Sequence, residues 1–458
     1  MAQLVSVVLA AGLGTRMKSS LPKVLHKLVG VPMIQHVVKT LQETGINDII
    51  VVLGYRGELV EEELGGSCRV VYQQQQLGTG HALLQTMSEL QNYKDADCLV
   101  VCGDTPLLRS ETLLGLISAH QQQKAQATVL TAYLPNPMGY GRIIKGALGL
   151  EKIVEEKDAS FEEKAVQEIN TGTYCFSINT LQDKLTHLST SNAQGEYYLT
   201  DIIKMVAEEK GKLETLLMED HVEAMGINNR VQLAEAERLL RQRLLREYML
   251  EGVTFIDPLN AYIESGVLIG QDTIIYPGVI LEGQTKIGEN CVIGPDTRIT
   301  DSTISDNVGI NYSNLQNVKV ARGCNIGPYS FLRPGTELAE NVKIGDFVEV
   351  KNTFVGKGAK IPHLSYVGDS SLGEEVNIGA GTITCNYDGV KKNKTVIGNR
   401  SFVGSNSNLV APIIIGEDVY IAAGSTVNKD IPSGSLAVAR SEQRNIDNWR
   451  QKKANERE

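Results

Sequence analysis

Short apolar runs closed by glycine or a polar turn alternate with amphipathic stretches over residues 1 to about 228. Ser6–Ala10 is the first such run, Ile49–Leu53 another, and Leu99–Cys102 a third that stops at Gly103-Asp104. Before the second run, Ile34, Val37, Val38 and Leu41 fall on one face at helical spacing. Strand–helix–strand alternation predicts a largely parallel sheet with helices on both faces, and ligands at the carboxyl ends of the strands. Over 229–250 the pattern becomes purely helical, with Val231, Leu233, Ala234, Leu239, Leu240, Leu244, Leu245 and Tyr248 set among Glu and Arg. A rod of about 33 Å is expected there. Asn228 or Asn229 can cap it and Gly252 can stop it. The rod reads as a spacer between a domain of residues 1–228 and one of 251–458.

Beyond residue 251 an aliphatic residue followed by glycine recurs, as in Ile269-Gly270, Ile287-Gly288, Ile293-Gly294, Ile326-Gly327, Ile344-Gly345 and Ile415-Gly416. Most of the spacings cluster around multiples of six. That period fits neither a helix nor a simple strand; it fits a β-helix whose triangular coil takes three hexapeptides, or eighteen residues, with one inward aliphatic residue per face. Residues 251–437 make about ten coils. The glycines are expected to serve corners whose backbone angles branched residues resist. The pattern resembles the left-handed parallel β-helix family, which implies that hand and a trimer.

Composition narrows the chemistry. The chain has 458 residues with a net charge of −10, so a general polyanion-binding surface is not expected, and neither nucleic acid nor membrane is a predicted partner. Any phosphate must be met by local cations. Seven cysteines without a Cys-x-x-Cys pair read as reduced thiols, and the apolar first ten residues read as a strand rather than a leader, so the cytoplasm is the expected location.

After the first run comes Leu9-Ala10-Ala11-Gly12-Leu13-Gly14-Thr15-Arg16-Met17, then Pro22-Lys23. A glycine-rich turn after a strand lets backbone N–H groups approach a phosphate. Met17 stands where a phosphate-binding Walker loop or a dinucleotide fingerprint needs glycine, so neither motif is present. The string resembles the sugar nucleotidyltransferase signature Gly-x-Gly-Thr-Arg-Met followed by Pro-Lys. From about residue 5 to 445 the order of segments is similar to one family, the bacterial bifunctional N-acetylglucosamine-1-phosphate uridylyltransferases and glucosamine-1-phosphate N-acetyltransferases.

The resemblance implies an α/β chain: a Rossmann-like nucleotidyltransferase domain, a linker helix and a left-handed parallel β-helix of hexapeptide repeats. It implies that Leu9, Ala10, Ala11, Gly12, Lys23, Gln73, Gly78 and Thr79 hold the uridine nucleotide, that Gly141, Glu155, Asn170 and Asn228 line the sugar side, and that Asp104 with Asn228 binds Mg²⁺. Cys102 stands where relatives can carry an aromatic residue. The reaction implied is attack by a sugar-1-phosphate oxygen on the α-phosphorus of UTP. Arg16, Lys23 and the metal would offset charge on the phosphates, and the anionic nucleophile needs no general base.

In the repeat region, Arg333, Lys351, His363, Tyr366, Asn377, Asn386 and Tyr387 collect within about 55 residues. Modulo eighteen, Arg333, Lys351 and Tyr387 share one position, so Arg333 and Lys351 are expected one above the other, about 4.8 Å apart. Two cations so close call for an anion. Thr384 to Lys394 breaks the period and is expected to leave the prism as a loop. The resemblance makes His363 the general base that deprotonates the glucosamine amine as it attacks acetyl-CoA. Arg333, Lys351, Tyr366, Asn377 and Tyr387 would hold glucosamine-1-phosphate; Ala380, Asn386, Ser405, Ala423 and Arg440 would contact acetyl-CoA. The implied product of acetylation, N-acetylglucosamine-1-phosphate, is the substrate of the other domain. The alternatives are a single-activity nucleotidyltransferase with the β-helix as an oligomerisation module, and a purely scaffolding β-helix. The polar tail from Ser441 to Glu458 is expected to fray.

Overall fold

The structure is a computed structural model that describes residues 3–147 and 149–455; the expectations for Met1, Ala2 and the last three residues lie outside it. The chain divides into two compact units, Met1–Leu240 and Arg241–Glu458.

The first unit is built on a nine-stranded sheet. Its main path runs Leu213–Leu217, Ala127–Tyr133, Glu168–Ser177, Asp97–Cys102, Leu4–Ala10, Ile49–Leu53, Arg69–Tyr72. Leu4–Ala10 pairs in parallel with both neighbours, whereas Glu168–Ser177 is antiparallel to both of its main-path neighbours. All five residues of Ile49–Leu53 are buried, as a strand covered on both faces must be. Val5, Val7, Ile50, Val52, Cys98 and Val100 enter one core; Val8, Ile49, Val51, Leu53, Leu99 and Val101 enter the other. Ile34, Val37, Val38 and Leu41 are the buried side of the helix Met33–Glu43, as their spacing predicts. The chain first adds strands on one side of Leu4–Ala10 and then returns to add Asp97–Cys102 on the other. The crevice beyond these two strands is a topological switch point, where open sheets bind ligands.

The helix Arg230–Leu250 is capped by Asn229, whose Oδ1 accepts the Gln232 N–H at 2.9 Å. It ends before Gly252 at φ +96°. Its first half is no free spacer: Ala236 is fully buried in the first unit with Leu28, Met33, Leu107 and Ile227. Leu245 and Tyr248 are core residues of the second unit.

The second unit is built on three parallel sheets of eleven, ten and nine strands, each taking every third strand along the chain up to the last strand, Leu436–Ala437, which follows after two. These are the three walls of a prism. One core runs through it, made of single aliphatic residues such as Ile293, Ile310, Ile326, Ile344, Ile361 and Ile378. Two details differ from the sequence reading. Coils are not uniformly eighteen residues: Leu332 pairs with Val350, but Val350 pairs with Val367. And the glycine after the inward aliphatic residue is seldom a left-handed corner. A Cβ on Gly345 would lie 1.8 Å from the Pro362 carbonyl oxygen, and one on Gly379 2.6 Å from Ser405 N. These glycines exist because the next coil passes too close for any side chain. The left-handed corners are shared between Asn or Asp, among them Asp296, Asn307, Asn341 and Asn352, and other glycines, among them Gly278, Gly323, Gly335 and Gly381. Of the expected loop Thr384–Lys394, Thr384 and Cys385 remain in the wall strand Ile383–Cys385; the residues after them leave the prism, pinned by a bridge between Tyr387 and Lys392. The tail, expected to fray, forms a short exposed helix at Trp449–Asn455.

Candidate functional site

In the first unit, the turn after Leu4–Ala10 opens on a cavity of about 480 Å³ lined by Leu9–Arg16, Lys23, Gln73, Gly78, Thr79, Cys102, Asp104 and Asn228, with Tyr55, Gln76 and Glu196. Met17 is buried (1% exposed) and ends a single 3-10 turn, Thr15–Met17. That explains why a methionine replaces glycine: the side chain anchors the turn, and no helix starts there. A Cβ on Gly12 would meet nothing within 4 Å, so the backbone faces the open cavity. Gly14, at φ +61°, lets the Lys23 side chain lie across it, since a Cβ would come 2.8 Å from Lys23 Cβ. On the other wall, Gly78 (φ +108°) has room for no side chain against Tyr197 O at 2.7 Å. Gln73 Nε2 donates to Gly78 O at 3.1 Å.

Lys23 is the hub. Its Nζ donates to Asp104 Oδ2 and, at 3.1 Å, to Asn228 Oδ1; Arg16 Nη2 donates to the same Asn228 oxygen at 2.9 Å. The Lys23 and Asp104 side chains are largely buried. Asp104 and Asn228 therefore aim two hard oxygens at one cationic point. That donor set fits a divalent ion completed by phosphate oxygens. Among the described residues no group of three or more His, Cys, Asp or Glu converges on a metal position, so any ion here would need ligand oxygens beyond those of the protein. Burial, aided by Asp104, pushes the Cys102 thiol up to about 12, so it sits in the cavity as a neutral group.

Gly141, Glu155 and Asn170 gather outside this cavity's wall. A Cβ on Gly141 would lie 3.5 Å from Asn170 Cβ and 3.6 Å from Glu155 Oε1, and Asn170 N donates to Gly141 O at 2.8 Å. The cluster reaches the cavity through Cys102, whose Sγ lies 3.6 Å from Gly172 O, on the strand that carries Asn170. The register slips between Asn170 and Tyr174, a bulge that re-aims side chains beside the site. Burial raises the Glu155 carboxyl; the Thr200 hydroxyl, donating at 3.2 Å, opposes the rise.

In the second unit, His363 and Asp346 are register partners on adjacent coils, and His363 Nδ1 donates to Asp346 Oδ1 at 2.5 Å. That bond holds the Asp346 carboxyl below the usual carboxylate range. Continuing the registers of this wall carries the same column upward through Ala380, Ser405 and Ala423. Three residues expected from resemblance at one ligand thus line one edge with His363. Asn377 lies on the same wall beside Lys360 and Phe402.

Arg333 and Lys351 are one above the other, since Arg333 N donates to Val350 O and their strands are paired. Arg333 also donates to Glu349 at 2.8 Å. Tyr387 is not in this column: Lys351 pairs with Gly368, seventeen residues on, and the shorter coils shift everything beyond it. Tyr387 stands in the projecting loop instead, donating to Gly389 O. The loop returns Lys392 to the column, and Lys351 is held below the usual lysine range, first by Lys392, then by burial and Arg333. Tyr366 Oη meets Asn386 Nδ2 at 3.3 Å, and Asn386 donates to Asp369 at 2.6 Å. Arg440 is exposed just past the last strand, Leu436–Ala437. Sequence reasoning missed Asp346 and Lys392. The signal for Asp346 was its place seventeen residues before His363, which an eighteen-residue count overlooks.

A glycine turn with clustered cations at a switch point, joined to a hexapeptide prism bearing a histidine and stacked cations, defines a nucleotidyltransferase fused to a hexapeptide transferase. Residues 6–151 match the MobA-like NTP transferase domain, and residues 266–301 and 394–429 match the bacterial transferase hexapeptide repeat, whose period is that of the left-handed parallel β-helix. Over 444 residues the chain is 50% identical to the Bifunctional protein GlmU of Carboxydothermus hydrogenoformans, covering 97% of this chain and 99% of that one. It is 51% identical over 445 residues to the Heliobacterium modesticaldum protein of that name, covering 97% of each. The match with the Listeria monocytogenes protein is 47% over 441 residues, covering 96% of each. The chain belongs to the Bifunctional protein GlmU family.

Proposed function

We propose that the chain acetylates glucosamine-1-phosphate with acetyl-CoA in its second unit and transfers UMP from UTP to the N-acetylated sugar phosphate in its first. The observation that carries this reading is that each unit holds its own cation cluster together with groups suited to one of the two reactions: Arg16 and Lys23 with Asp104 and Asn228 in one; Arg333, Lys351 and Lys392, and on another wall the His363–Asp346 pair, in the other.

For uridylyl transfer, the phosphate oxygen of the sugar attacks the α-phosphorus and the bond to the β-phosphate breaks, releasing pyrophosphate. Lys23 and Arg16 face the negative charge that gathers there. Asp104 and Asn228 would hold Mg²⁺, which supplies further neutralisation of the phosphates. The glycine turn admits the nucleotide, Gln73, Gly78 and Thr79 line its other wall, and Gly141, Glu155 and Asn170 take the sugar.

For acetyl transfer, the glucosamine nitrogen attacks the thioester carbonyl, the carbon–sulfur bond breaks, and CoA leaves. Asp346 accepts from His363 Nδ1, which fixes the tautomer whose Nε2 can take the amine proton. Arg333, Lys351 and Lys392 supply an anion site, with Tyr366, Asn377 and Tyr387 on the sugar. Ala380, Asn386, Ser405, Ala423 and Arg440 contact acetyl-CoA.

The prism assembles as a homotrimer in this reading. Supporting it, Tyr312, Tyr329, Phe347 and Leu364 form an exposed ridge on successive coils, the aromatic rings 5.6 and 5.4 Å apart. All four hold φ between +45° and +57°, at a cost of ~1–3 kcal/mol each for bulky residues. Large apolar side chains in strained corners beside Asp346 and His363 fit a buried subunit interface. Seven free cysteines suit a reducing cytoplasm. Among the described residues no helix is long and apolar enough to cross a membrane.

The purified chain is expected to release CoA from acetyl-CoA only with glucosamine-1-phosphate, and pyrophosphate from UTP only with N-acetylglucosamine-1-phosphate and a divalent ion. Pyrophosphate release without any CoA release would leave the second unit without a catalytic role.

A further inference from the structure

The segment that follows Lys23 and the Asn228 that Lys23 meets share one support, the first half of the helix Arg230–Leu250. From Lys23 the chain continues through His26, Leu28 and Val29 before turning at Gly30. Val29 is buried (5% exposed) and held at φ +49°, a strained position for a β-branched side chain. The strain is met from outside the segment: Val29 N–H donates to Glu237 Oε2 of the helix at 2.6 Å. Leu28 is fully buried beside Ala236, the residue before Glu237. Two turns earlier, Arg230 Nη1 lies 3.2 Å from His26 Nδ1. The edge of the same helix carries Asn228, whose N–H donates to Gln232 Oε1 at 2.8 Å and whose Oδ1 accepts from both Lys23 and Arg16. One rigid element thus grips the segment that follows Lys23 and carries the oxygen Lys23 meets.

We propose that Glu237 is a positioning residue for uridylyl transfer: its hold on the Val29 N–H fixes where the Lys23 segment stands relative to Asn228. Phosphoryl transfer depends on placement more than on any covalent chemistry of the protein. A misplacement of about 1 Å originating far from the reacting atoms can cost about 100-fold. The inference rests on the reading that Lys23 faces the triphosphate; it adds a residue that touches no substrate.

The test uses the full chain and four variants: Glu237→Ala, Glu237→Gln, Lys23→Ala and the double variant Glu237→Ala/Lys23→Ala. Pyrophosphate and CoA release are both measured. Glu237→Ala is expected to lower the uridylyl kcat by about tenfold or more with the KM for UTP changed less than about threefold. CoA release should be unchanged. Glu237→Gln keeps an oxygen for the Val29 N–H and should stay within about threefold of the parent. On the Lys23→Ala background the Glu237→Ala change should add less than about twofold, because it acts through Lys23. A Glu237→Ala rate within twofold of the parent, or a loss that adds in full to that of Lys23→Ala, overturns the proposal. So does a first unit that no longer melts cooperatively in Glu237→Ala, which would make Glu237 structural. Lys23→Ala at the parent rate overturns the reading of Lys23 and this proposal with it; a slow Lys23→Ala beside an unimpaired Glu237→Ala overturns this proposal alone.

Discussion

Glu155 is a carboxyl group kept where its charge is poorly solvated, and burial is the main reason its pKa lies above the ordinary glutamate value. Because the folded chain holds that proton more tightly than the unfolded one, Glu155 favours folding fully below its unfolded pKa. That contribution is lost as pH rises through the raised folded value. Glu155→Gln should therefore raise the melting temperature of the first unit at about pH 8, with the gain fading by about pH 4. The same change should slow uridylyl transfer by roughly tenfold or more if the carboxylate binds a sugar hydroxyl. Scanning calorimetry at the two pH values checks the first effect; a melting temperature that falls at about pH 8 contradicts it. Single residues were unevenly legible. The turn from Leu9 to Arg16 and Lys23 could be read because glycine and cations at a strand end have few other uses. Asp346 could not, because nothing in the sequence marks its carboxylate as the partner of His363 until the coil length is known. Tyr387 was misplaced for the same reason.

At the scale of the element, the coil's defining residue is the glycine that lets its neighbour pass. Gly345→Ala would set a Cβ 1.8 Å from the Pro362 carbonyl, one residue before His363, and backbone on both sides leaves no flexible atom to yield. Such overpacking should destabilise the second unit by more than about 3 kcal/mol and abolish acetyl transfer. Uridylyl transfer should persist. A Gly345→Ala chain with normal CoA release and unchanged melting would show that the coils have slack. The hexapeptide period made the prism readable, since each wall repeats a single inward residue such as Ile326, Ile344 or Ile361. It could not reveal why glycine follows, because a left-handed corner and a close crossing leave the same residue in the sequence. The strand Glu168–Ser177 was likewise hidden: strand–helix alternation implies parallel neighbours, and nothing local to the strand announces that it runs the other way.

At the scale of the whole molecule, the two compact units have separate cores and separate candidate sites, each described without residues of the other. The helix between them was legible as a helix from its apolar spacing and its caps. Its role as cover for Leu28, Met33 and Leu107 was not, because an amphipathic stripe does not name what it packs against. Two chemistries in one chain follow from this separation, and they must be separable by a change confined to one site. His363→Ala leaves the exposed corner of the prism otherwise intact and removes only the imidazole that faces Asp346. The account predicts that CoA release from acetyl-CoA with glucosamine-1-phosphate falls by about 100-fold or more, while pyrophosphate release from UTP with N-acetylglucosamine-1-phosphate stays near the parent rate. Parallel loss of both rates, or undiminished CoA release, would contradict it.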